Sequence, residues 1–95
     1  MTKERLNIEY MTKIGFFPFK ESESVIVYGK KDEDTYIGVE HHNWNVESTE
    51  CYADWWILLI SAKELKLQCV CNTIEKFNEI LTVFKLKRFL QNEKH

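Results

Sequence analysis

A chain of 95 residues has room for one small domain, read here as 1–95 with ends at 1–6 and 91–95 expected to fray. At 44% hydrophobic and 14% aromatic, with one Pro and three Gly, it carries the material of a packed core rather than of a disordered segment. Its formal net charge of −2, both signs interspersed, offers no long-range pull on phosphate backbones, so nucleic acid is not expected as the main partner.

Three cysteines (Cys51, Cys69 and Cys71) are an odd number, and no signal-like segment opens the chain. A reduced, cytoplasmic protein is therefore expected, without a disulfide framework. The longest apolar run, residues 55–60, is far too short to span a membrane.

Asn7 is placed to cap a short helix running to about Ile14, with Tyr10, Met11 and Ile14 on its apolar stripe. Gly15 then supplies the left-handed position that ends it. The segment Phe16–Phe17–Pro18–Phe19 reads as an edge strand, because Pro18 cannot donate to a sheet ladder. One or two of its three rings are expected in the core.

Val25–Gly29 is a strand by its β-branched and aromatic content, and residues 30–34 form a charged hairpin turn. Thr35–Glu40 is the next strand, with Tyr36 and Gly38 on one face and Ile37 and Val39 on the other. Gly38 leaves a gap that an aromatic ring can cover. This strand can extend through His41 and His42 to Trp44, Val46 and Ser48, but Asn43 and Asn45 suggest a turn or bulge nearby, so a separate short strand is expected over Trp44–Glu47 and a polar connection over Ser48–Ala53.

Residues 54–84 organise the chain. Trp55–Ile60 is apolar at both parities and should be a central strand covered on at least part of each face. Leu65–Cys71 alternates, with Lys66, Gln68 and Val70 facing solvent. Asn72 with Glu75 makes a capping box, and Thr73 is the alternative cap. Ile74, Phe77, Ile80, Leu81 and Phe84 then define one face of a helix. Beyond Phe84 the stripe moves: Val83, Leu86 and Leu90 gather on nearly the opposite side. Either the helix ends near Lys85 and the tail packs separately, or a second apolar stripe continues and meets another subunit.

The expected fold is α+β: a short N-terminal helix, an antiparallel sheet of four to six strands, and a C-terminal helix on one sheet face. The chemistry is thin. Cys51, Cys69, Cys71 and one of His41 or His42 are the only metal-like set, but adjacent histidines on a strand point to opposite faces and the Cys spacing is short for zinc. The same residues are the raw material of a cysteine/histidine enzyme, with no glycine-rich turn to prepare an oxyanion site. Lys63, Lys66, Lys85, Lys87 and Arg88 are the basis of a nucleic-acid or anionic-ligand alternative. No cofactor and no catalytic set are assigned.

The aromatic group of Trp44, Trp55 and Trp56 with His41 and His42 is the better candidate. Trp55 and Trp56 must face opposite ways, so one is core while the other can anchor a protein contact. The expected function is a small non-enzymatic protein that binds another protein or itself through this aromatic sheet face. A homodimer through Val83, Leu86 and Leu90 is the other form of self-association.

Overall fold

The computed structural model describes residues 4–46 and 51–91, and for 44–46 and 51–53 the backbone alone. Helix α1 (Ile8–Lys13) leads into five strands: β1 (Phe17–Glu21), β2 (Val25–Lys31), β3 (Tyr36–Val46), β4 (Cys51–Ser61) and β5 (Lys66–Val70). Helix α2 (Ile74–Val83) and a 3-10 turn (Lys87–Leu90) follow. The strands form one antiparallel sheet in the order β1-β2-β3-β4-β5.

Short polar turns make this meander possible. At 32–35 the Asp32 backbone N–H donates to Thr35 O, and its carboxylate Oδ1 accepts from the backbone N–H groups of Asp34 and Thr35. Ser22 and Ala62 donate across the other two described turns to Val25 O and Leu65 O.

Strands β3 and β4 run further than the asparagines suggest. No separate strand starts at Trp44: β3 continues through Val46, with Asn43 opposite Asp54 and Asn45 opposite Tyr52. Likewise residues 51–53 are the start of β4, not connection, while 47–50 lie outside the described residues. A long cross-strand ladder satisfies the backbone groups that a turn at Asn43 would have used, and so overrides the local signal.

Both helices end in the same way. After α1, Gly15 adopts φ 92° while its N–H bonds Thr12 O and the Phe16 N–H bonds Met11 O. After α2, Lys85 adopts φ 61° while its N–H bonds Thr82 O and the Leu86 N–H bonds Leu81 O. Each is a Schellman stop, and in each the residue after the left-handed position (Phe16 or Leu86) is buried. Helix α2 therefore does not continue, and no second stripe forms. The 3-10 turn instead carries Phe89 into the core and packs Leu90 against it.

At its start α2 is capped by Thr73, whose hydroxyl accepts from the Lys76 N–H. Asn72 is diverted to the sheet, where its Oδ1 accepts from the Trp56 N–H at 2.8 Å. The segment before α1 is anchored here too: Leu6 N–H bonds Asn72 O, Ile74 N–H bonds Glu4 O, and Leu6 is buried.

The core lies on one side of the sheet. Met11, Ile14 and Phe16 from the α1 end, Phe77 and Leu81 from α2, and Tyr28, Ile37, Val39, Trp56, Leu58 and Ile60 from the strands form one cluster. Phe77 meets Phe16 and Tyr10 edge-on at 5.8 and 6.4 Å, and Asn78 Nδ2 donates to the Tyr10 hydroxyl. The two helices therefore share a face, and among the described residues the other face of the sheet carries no helix.

Candidate interaction face

The ladder registers give the composition of the helix-free face directly, since opposed residues share a side. Starting from the Lys31–Asp32 turn and moving along the strands, its rows are Lys31, Tyr36, Ser61 and Lys66; then Phe17, Gly29, Gly38, Leu59 and Gln68; then Lys20, Val27, Glu40, Ile57 and Val70; then Val25, His42 and Trp55. A solvated antiparallel face is ordinarily polar at alternate positions. Here Val27, Ile57 and Leu59 flank Gly38 and Glu40 of the central strand, and Val70 is 51% exposed at the β5 edge.

Two rings lie on a glycine floor in this face. Gly29 and Gly38 are opposed across β2 and β3. A Cβ at Gly38 would come within 2.6 Å of the Tyr36 hydroxyl, and one at Gly29 within 2.6 Å of Phe19 Cε1. The gap expected at Gly38 is therefore filled by Tyr36, its neighbour on the same strand. Phe19, at the β1 bulge and 59% exposed, meets Tyr36 edge-on at 6.1 Å. Only glycine at both floor positions lets the rings settle this close to the sheet. Shallow hollows flank Tyr36, one of about 430 Å³ toward Leu59, Ser61, Lys66 and Gln68, the other of about 220 Å³ toward Phe19 and Lys31. Burial, and secondarily the Glu40 carboxylate, raise the Tyr36 phenol above its ordinary range, so it stays a neutral donor.

The histidine and tryptophan candidates divide between the two faces. His41 opposes Trp56, with rings stacked 3.9 Å apart at 7°, on the helix side. His42 opposes Trp55, 5.4 Å apart at 15°, on the open side. Each imidazole is also held by a carboxylate: His41 Nε2 donates to Asp54 Oδ1 at 2.9 Å, and His42 Nε2 to Glu40 Oε1 at 3.0 Å. Arg5 extends the first pair by donating to the Asp54 backbone oxygen. Trp56 is 1% exposed and structural, while Trp55 is half-buried at one end of the open face. Trp44 pairs with Ala53 in the ladder, and its side chain lies outside the described ones.

No family model, curated protein or solved structure matches this chain. The remaining candidates rest on geometry alone. Of Val83, Leu86 and Leu90, only Val83 is exposed, at 68%; Leu86 is 6% exposed and Leu90 half-buried against the core. The structure does not bring them together as a surface, because the stop at Lys85 turns Leu86 inward.

Among the described residues no group of three His, Cys, Asp or Glu is arranged to hold a metal ion. Cys71 is buried beneath the sheet, where burial pushes its thiol up to about 12, and its Sγ lies 3.9 Å from Thr73 O. Such a thiol is protonated at neutral pH, unlike a zinc ligand or a nucleophile. Cys69 shares its side, and the Cys51 side chain lies outside the described ones.

The basic candidates are dispersed. Arg88 Nε donates to Asp32 Oδ2 at 2.7 Å, and this bond holds the Asp32 carboxyl below the usual range. Arg88 and Lys63 border one hollow together with Asp34 and Glu64, so its charge is balanced. Lys66 belongs to the open sheet face, Lys85 to the helix stop and Lys87 to the 3-10 turn.

What sequence reasoning missed is the centre of the face. Ile57 and Leu59 were legible as apolar at the second parity of β4, a pattern that asks for a cover on both sides. The described residues supply helices for one side only.

Proposed function

We propose that this protein works by contact, binding another polypeptide through the helix-free sheet face. The observation that carries the reading is the asymmetry between demand and cover. Both faces of β4 are apolar, both helices pack on one of them, and Ile57, Leu59, Val27 and Trp55 are left on the other. Contiguous apolar patches rimmed by polar groups mark interaction sites on small proteins. Lys31, Lys66 and His42 supply such a rim, and Tyr36 and Trp55 are the anchor type that dominates interface energetics. No described helix is long and apolar enough to cross a membrane.

The test is a photoreactive residue placed at position 59, compared with one at the exposed Lys76 position on α2. Covalent adducts to a polypeptide, formed at 59 and not at 76 and identified by mass spectrometry, are the expected result. Equal labelling at both positions, or none at 59 under conditions where the protein is active in its own cell, contradicts the proposal.

A further inference from the structure

We propose that the polypeptide covering this face is a second copy of the chain, the two sheets packing face to face with the helices outside. The inference rests on the contact reading above and adds the occupant. Size is the first ground. Five strands spaced ~4.8 Å apart, with ~3.4 Å per residue, give a face on the order of 600 Å² in flat projection. The relief of the side chains raises this toward the ~800 Å² per partner of an ordinary stable interface. Sheets packed in this way sit about 10 Å apart, a gap filled by interdigitating side chains of the kind that Ile57, Leu59 and Val27 supply.

Self-complementary charge is the second ground. Lys31 and Lys66 mark one end of the face, while Glu40 and His42 lie toward the other, with Leu59 between and Lys20 at the β1 edge of the Glu40 row. A two-fold axis lying in the interface and crossing the strands brings the lysine end of each copy toward the Glu40–His42 end of the other. The same operation sets the Gly29–Gly38 row, with the Tyr36 and Phe19 rings lying over it, opposite the Val27–Glu40–Ile57 row. An axis along the strands would bring lysine end onto lysine end and is disfavoured. Edge-to-edge pairing through β1 is blocked by Pro18 and the bulge beside it.

Sedimentation equilibrium over a concentration series tests this, on the wild type, Leu59→Lys and Val83→Lys, with far-UV circular dichroism confirming that each variant is folded. The expected result is a wild-type dimer, weakened ~30-fold or more by Leu59→Lys as for loss of a central contact and unchanged by Val83→Lys. Should Leu59→Lys fail to fold, Gln68→Glu on the same face and the salt dependence of the wild-type dimer give the same discrimination. A wild-type monomer at every concentration overturns the second copy while leaving a foreign polypeptide on the face. A dimer that Val83→Lys dissociates and Leu59→Lys does not overturns the second copy on this face, while the contact reading stands or falls on the crosslinking at position 59.

Discussion

Lys30 shows how a single residue closes this small fold. It lies on the helix side of β2, and its Nζ donates to Ile14 O at 2.8 Å, Phe89 O at 3.3 Å and Gln91 O at 2.6 Å. One ammonium thereby satisfies carbonyls at the end of α1 and along the C-terminal turn, which no helix hydrogen bond reaches. Lys30→Met keeps the aliphatic stem and orphans those carbonyls, and a loss of about 1–3 kcal/mol is expected in urea unfolding. Cys71 makes the opposite case, a polar group stabilised by being left uncharged. Its folded-state value of about 12 lies above that of the unfolded chain, ~8.5. Its contribution is therefore complete below about pH 8.5 and is surrendered as pH rises toward the folded value. Peptide-resolved alkylation at pH 8 should leave Cys71 unmodified until the protein is unfolded. Nothing in the sequence marked Lys30, since its three acceptors come from positions far apart in the chain. The inward side of Cys71, by contrast, followed from simple alternation with Leu65, Leu67 and Cys69.

Among the elements, the two helix stops repay comparison because they have the same hydrogen bonds and different residues. Gly15 takes the left-handed position at no steric cost, whereas Lys85 takes it with a Cβ. Lys85→Gly is expected to stabilise the protein by a few tenths to about 1 kcal/mol, the relief of strain exceeding the extra freedom gained by the unfolded chain. Thermal unfolding of the variant checks the sign, and a lower midpoint contradicts this account of the stop. The α1 stop was legible because glycine announces it. The α2 stop was half legible: the shift of the apolar stripe at Val83–Leu86 required either an end or a new surface, and only the backbone shows that Leu86 folds inward. Strand β3 failed to show its length for a related reason. Asn43 and Asn45 are turn residues by local preference, and the pairing with β4 that overrules them is not a local property.

At the scale of the whole molecule, one sheet has two faces with different fates. The antiparallel sheet and the packing of a C-terminal helix on it could be read from alternation and periodicity, and the edge position of β1 from Pro18. The composition of the open face needed the register, because a row such as Val27–Glu40–Ile57–Val70 draws one residue from each of four strands. Covering that face with a second copy gives the apolar second parity of β4 the burial its sequence implies, and leaves α1, α2 and Val83 on the outside. Carbene footprinting of the purified protein at low and high concentration reads that cover residue by residue. The face-to-face dimer requires Tyr36, Trp55 and Leu59 to lose labelling as concentration rises, with Val83 and Phe84 labelled equally throughout. Unchanged labelling of the three sheet residues, or protection at Val83 and Phe84 instead, would contradict it.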